Sequence, residues 1–121
     1  MGGIVDDEVI YDFHFDPETQ AELAEIVEYY STHPSPDNGK RFLVKVETVV
    51  ELLRLWPEAG AQVPELPTVR GFSIPKYPYR LYYTLIRQEL AIIGLALYNT
   101  NQDTVALIDT LTRRQARLST E

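Results

Sequence analysis

Arg80 stands inside the run Tyr77 to Tyr83, YPYRLYY, as a lone cation among four tyrosines. A guanidinium beside phenols can hold a phosphate or a carboxylate, and a phenol can pass a proton. Along an extended segment side chains alternate, so Arg80, Tyr82, Thr84 and Ile86 share one face while Tyr79, Leu81, Tyr83 and Leu85 share the other. Alternation therefore assigns Tyr79 and Tyr83 to the core and leaves Tyr77 and Tyr82 as contact candidates. A second phenol, Tyr98, closes the following aliphatic run. Further cations that could meet a partner are Arg70, Lys76, Arg113, Arg114 and Arg117. The last three also fall in the final turns of a terminal helix, where positive charge suits the helix dipole. Metal chemistry is not expected: there are 2 histidines, His14 and His33, and no cysteine, whereas a structural zinc site needs four protein ligands.

The elements that position these residues read in order. Val9, Tyr11, Phe13 and Phe15 alternate with Ile10, Asp12 and His14, as in a strand. Asp16-Pro17 is an N-cap followed by proline at the first helical position. Leu23, Ile26, Val27 and Tyr30 follow at helical spacing, up to the loop STHPSPDNG. A second helix begins near Asp37 or Asn38, with Phe42, Val46, Val49, Leu53 and Trp56 as its buried stripe, widened by Leu43 and Val50, and Pro57 and Gly60 end it. Three strand-like runs come next, Val69 to Ile74, Tyr79 to Ile86 and Ala91 to Tyr98, the last two as an antiparallel hairpin. Thr104 to Leu118 is helical by spacing, with Asp103 as its cap. The expectation is one α+β domain over residues 1–121: a strand, a two-helix hairpin, three antiparallel strands with those helices on one sheet face, and a C-terminal helix within 103–118.

Faces within the hairpin constrain its turn. The run after the turn places Ile93, Leu95 and Leu97 on one face and Ile92, Gly94, Ala96 and Tyr98 on the other. A two-residue turn at Gln88-Glu89 would pair Arg80 with Leu97 and mix the two faces. A three-residue turn sets Arg80 opposite Tyr98 or Ala96 and is preferred on that ground. Small Gly94 and Ala96 then leave a shallow hollow beside Tyr82, facing away from the helices.

Size and charge narrow the function. A chain of 121 residues with 11 Lys and Arg against 18 Asp and Glu carries a net charge of −7, which disfavours binding dominated by phosphate neutralisation and favours protein partners. Absent cysteine fits a reducing cytoplasm. No apolar run reaches the ~20 residues of a membrane span, and the opening MGGIVDDEV lacks a secretory signal pattern. Residues 1–8, with Asp6, Asp7 and Glu8, are expected to be solvated and flexible. The composition is compatible with an oligomer.

Three segments, DPETQAELAEIVEYY, RFLVKVETVVELLRLWPEAG and VRGFSIPKYPYRLYYTLIRQELAIIGLALY, together resemble the RelE/ParE superfamily of toxins from bacterial toxin–antitoxin systems. The resemblance implies a small cytoplasmic α+β protein neutralised by an antitoxin, with no cofactor. In RelE-like members an arginine matching Arg80 belongs to a basic cluster that cuts mRNA on the ribosome. That branch would make Arg80 and Tyr98 catalytic. Here, however, Tyr98 stands where the family often has histidine, and no basic residue follows before Arg113. The resemblance therefore favours the ParE-like branch, whose members inhibit DNA gyrase by binding. On that branch Arg70, Lys76, Tyr77, Arg80, Tyr82, Arg113, Arg114 and Arg117 are the candidate partner contacts. An inactive relative that retains only the binding fold is the third reading.

Overall fold

The computed structural model describes residues 9–119, so the expectation for residues 1–8 lies outside the described residues. Strand β1 (Asp12–Phe15) leads into helices α1 (Pro17–Ser31) and α2 (Asp37–Leu55). Strands β2 (Ala61–Val63), β3 (Leu66–Ser73), β4 (Tyr79–Ile86) and β5 (Ala91–Asn99) follow, and α3 (Thr104–Ser119) ends the described chain. The sheet order is β1-β5-β4-β3-β2. β1 runs parallel to β5 and the other pairings are antiparallel. The α+β architecture is the expected one, with the short edge strand β2 as an addition. No helix among the described residues is long and apolar enough to cross a membrane.

Local chemistry sets the helix ends. The Asp16 carboxylate accepts from the Glu18 backbone N–H at 3.0 Å, and Pro17 occupies the first helical position, which satisfies an otherwise orphan donor. Asp103 does the same for α3, accepting from the Val105 N–H at 3.0 Å. α1 and α2 bury Ile26, Phe42, Val46, Val49 and Leu53 against Leu81, Tyr83, Ile92 and Leu97 of the sheet. Trp56 departs from the expected stripe: it is 66% exposed. Pro57 lacks the N–H and the conformational freedom to continue a helix. Trp56 accordingly takes φ −130° and ψ 72°, and its ring turns out to solvent.

The opposite sheet face is also covered. Leu107 and Leu111 of α3 pack with Val63, Val69, Leu95 and Ala96. The hollow expected beside Tyr82 is therefore filled by the third helix. The hairpin reaches this arrangement through a bulge rather than through a three-residue turn. Ile86 pairs with Ala91 across the 3-10 turn Arg87–Glu89 and left-handed Leu90. The register then shifts between Tyr82 and Tyr83, so that Tyr83 opposes Gly94 while Tyr82 opposes Ala96. One inserted residue exchanges the faces of a strand. Consequently Ile92 and Gly94 share the α1/α2 side with Leu97, while Ile93 and Leu95 lie on the α3 side, a correction to the simple alternation of β5.

Gly60 shows how the β2 turn is seated. A Cβ there would lie 2.7 Å from the Tyr83 hydroxyl and 2.8 Å from the Gly71 carbonyl, closer than real contacts allow. The Gly60 N–H donates to the Tyr83 hydroxyl at 2.9 Å, and that hydroxyl donates to the Pro57 carbonyl at 2.7 Å. Tyr83 is wholly buried, and burial raises its phenol above the ordinary value, opposed by the Gly60 N–H and the Arg70 charge.

Candidate functional site on the Arg80 face

Arg80 and Tyr98 are direct cross-strand partners in the β4–β5 ladder, so the two groups share one face of the sheet. The Arg80 guanidinium is held by the chain itself. It donates to the Gly71 carbonyl at 3.0 Å and to the Ser73 hydroxyl at 2.9 Å. Its central carbon sits 5.9 Å from the centre of the Tyr82 ring. Burial raises the Tyr82 phenol, with the Arg80 charge pulling the other way. The cluster can present a planar cation and an aromatic edge to a partner.

The surroundings of Tyr98 are acidic. A cavity of about 310 Å³ beside it is lined by Glu22, Glu25, Tyr79, Asn99 and Gln102, together with Ile26 and Leu97. No cation is among those residues. A phosphodiester brought to Tyr98 would meet Glu25 and a Glu22 already paired with Arg114, where a nuclease needs donors and positive charge to stabilise the transition state.

The remaining candidates have definite places. Arg70 donates to the Glu58 and Gly60 carbonyls at 3.2 and 2.8 Å and braces the turn after α2. Tyr77 packs edge-on against Phe42 and Tyr30, with ring centres 4.9 and 5.2 Å apart. Lys76 is exposed in a left-handed turn at φ 75°. Arg113 is exposed and lies 3.8 Å from Glu18. Arg114 is buried, at 7% exposure. Its guanidinium donates to Glu22 Oε2 at 2.8 Å and to the Leu95 carbonyl at 2.8 Å, and its Nε lies 2.8 Å from Glu18 Oε1. Burial works against its charge, but the hydrogen bond to Glu22 and the charges of Glu22, Glu18 and Asp16 prevail and raise its pKa. Arg117 bridges to both Asp16 oxygens at 3.1 Å and to Glu18 at 3.2 Å.

The arginines of α3 thus fasten that helix to the N-terminal turns of α1. The contact also completes the sheet. Where β1 gives way to α1, β5 continues beyond it. There the Leu95 carbonyl accepts from Arg114, and the Leu97 N–H donates to Glu22 at 3.1 Å. Arg114 is buried in this clasp, which removes its guanidinium from the surface set named from the sequence. The sequence reading also passed over Lys40, Arg41 and Lys45 on α2, which form a cationic cluster with Lys76. Their signal was KRFLVK, three cations in the first turns of an amphipathic helix.

Comparison with known proteins decides the family. The model of the ParE toxin family of type II toxin–antitoxin systems (parDE) matches residues 13–116. The chain belongs to this family. No curated protein sequence matches it. Among solved structures, a chain of the chromosomal ParDE toxin–antitoxin system of P. aeruginosa superposes with a TM-score of 0.63 at 19% identity, over 74% of this chain and 96% of that one. A mutant of the E. coli toxin RelE in the free state gives a TM-score of 0.66 at 14% identity, over 88% and 98%. At such identities the likeness shows a shared fold. Asp16, Glu18, Glu22 and Arg114 of the clasp fall within the span matched by the ParE family model, and Arg117 lies just beyond it.

Proposed function

We propose that this chain is a ParE-like toxin that arrests growth by binding a protein target such as DNA gyrase, without turnover, and that a cognate antitoxin neutralises it in the cytoplasm. The supporting observation is the carboxylate lining, Glu22 and Glu25, of the cavity beside Tyr98. Arg80, already held by Gly71 and Ser73, then serves as a contact residue beside Tyr82. Lys76, Tyr77 and Arg113 are further contacts on this reading. Arg70, Arg114 and Arg117 act chiefly by holding the turn and the helix that present them.

A second reading draws on the direct opposition of Arg80 and Tyr98: a ribosome-dependent endoribonuclease in which Arg80 stabilises the phosphate and Tyr98 assists. The experiment is a supercoiling assay with purified gyrase, run beside primer extension on translating ribosomes. Supercoiling should fall with added toxin, and Arg80→Ala should weaken the inhibition by about tenfold, the loss of a charged contact worth roughly 1.4 kcal/mol. Intact supercoiling together with ribosome-dependent mRNA cuts that vanish in Arg80→Ala would replace this proposal with the second reading.

A further inference from the structure

One end of the molecule is apolar and open. A cavity of about 630 Å³ lies where α2 gives way to the turn before β2, walled by Val9, Tyr11, Leu55, Trp56, Pro57 and Arg87. Among the described residues nothing covers it, and Val9, Leu55 and Trp56 are exposed. An apolar hollow of this size is where a ligand or a segment of chain is ordinarily seated.

The chain passes this cavity by a fixed route. The Tyr11 N–H donates to the Arg54 carbonyl at 3.0 Å, and Arg54 Nε donates to the Tyr11 carbonyl at 2.9 Å, so the entrance to β1 is stapled to the last turn of α2. No strand among the described residues pairs with the chain upstream of Asp12, which stands opposite Ala91 at the start of β5. The chain therefore leaves the sheet at Tyr11, and Val9 is already part of the cavity wall. Residues 1–8, which precede Val9, read MGGIVDDE. The order of polarity there suits a return. Asp6, Asp7 and Glu8 belong in water, since an unpaired carboxylate is costly to bury. Ile4 and Val5 gain by leaving it. Val5 lies at most about 14 Å along an extended chain from Val9, so the three acids need form only a short loop for the apolar pair to fall back onto the cavity. Arg54 and Arg87 stand nearest that loop, each shared with an exposed glutamate, Glu51 or Glu58.

We propose that the cavity is filled by this chain's own Ile4 and Val5, laid against Trp56, with Asp6, Asp7 and Glu8 as a solvated loop between them and Val9. The sequence alone gives residues 1–8 as a solvated start; the cavity supplies what that reading lacked, an apolar place within reach of the apolar pair. The tether decides the occupant. A segment joined to the cavity wall meets it at an effective concentration on the order of millimolar. A second copy would instead bring together two chains of net charge −7, with Glu51 and Glu58 on both sides, against that repulsion and the entropy of association. Any partner that uses this end of the molecule must first displace the chain's own residues. The inference holds whichever cellular target the toxin has.

Trp56 is the only tryptophan and the chain has no cysteine, so one indole signal and one introduced thiol read the contact. A nitroxide on Gly3→Cys should broaden the Trp56 indole N–H resonance in the full chain. Mixing nitroxide-labelled chains with isotope-enriched chains that carry no label should give no broadening, because the contact lies within one molecule. Adding Ile4→Asp and Val5→Asp should abolish the broadening. The same two changes without the label should shift Trp56 emission to the red and increase its quenching by acrylamide. Removal of residues 2–8 is the second variant and should give the same red shift, with circular dichroism checking that both variants keep their helices. No broadening in the labelled chain, broadening between mixed copies, or unchanged Trp56 emission in both variants would each overturn the proposal.

Discussion

The clasp between α3 and α1 and the outward face of α2 use the same residue types to opposite ends. In the clasp, Arg114 and Arg117 meet Asp16, Glu18 and Glu22, and the apolar side of α3 is covered. Among the described residues, Lys40, Arg41 and Lys45 at the start of α2 have no carboxylate partner, and at its far end a tryptophan faces water. Arginine suits the first task because its planar fork can serve a carboxylate and a carbonyl at once. Lysine, a hydrated point charge on a flexible stem, suits a helix face left in water. A charge run therefore acquires its meaning from what lies opposite it in the fold.

The largest expected effect tests the clasp. Arg114→Ala leaves the Leu95 carbonyl without its guanidinium donor and Glu22 with the Leu97 N–H but no cation, at a largely buried position. Removing one member of a buried pair costs about 3 kcal/mol or more. Urea unfolding should show that loss, and hydrogen exchange should show α3 opening before the α1/α2 core. A change within about 0.5 kcal/mol, the range of an ordinary surface site, would mean that the clasp is ornamental and that the two regions do not differ as argued.

A neutral polar site gives the intermediate case. Tyr83→Phe removes both hydrogen bonds of the buried phenol and leaves the Gly60 N–H and Pro57 carbonyl unsatisfied. The cost is about 1–3 kcal/mol by thermal or urea unfolding. The same group sets an alkaline limit. Because its folded pKa is raised by burial, its contribution is complete below the unfolded value of about 10 and is lost as pH rises above that toward the folded value. Wild-type stability should thus fall above about pH 10, and the fall should be shallower in Tyr83→Phe. It should not vanish, since burial also raises Tyr30 and Tyr82.

Much of this was legible in the chain. The inner stripe of α2 and the Asp16-Pro17 start of α1 follow from periodicity and capping chemistry, and the shared face of Arg80 and Tyr98 from pairing, which left Tyr98 or Ala96 opposite Arg80 and assumed a three-residue turn where the chain uses a bulge. What was not legible was non-local. The Arg114–Glu22 pair spans 92 positions, and no spacing rule reaches that far. The β5 bulge shifts register by one residue without a marker in composition; its sign was only the conflict of faces across the hairpin. Trp56 fitted the helical period by count, but Pro57 ended the helix one residue too soon for the count to hold. The RelE/ParE signature came through because it is carried by whole segments rather than by single residues.

The smallest effect separates the two regions most cleanly, because its sign is unusual. Lys40 is exposed, near the positive end of α2, and has no carboxylate partner among the described residues. Exchanging it for an acid removes an unfavourable interaction with the helix dipole and supplies a favourable one, worth about 0.3–1 kcal/mol at low salt. Lys40→Glu should therefore raise the urea midpoint slightly, with the gain shrinking as salt is added. A lysine that supports the fold, as Arg114 does, would lower the midpoint instead, so the sign of the change tells the two kinds of cation apart.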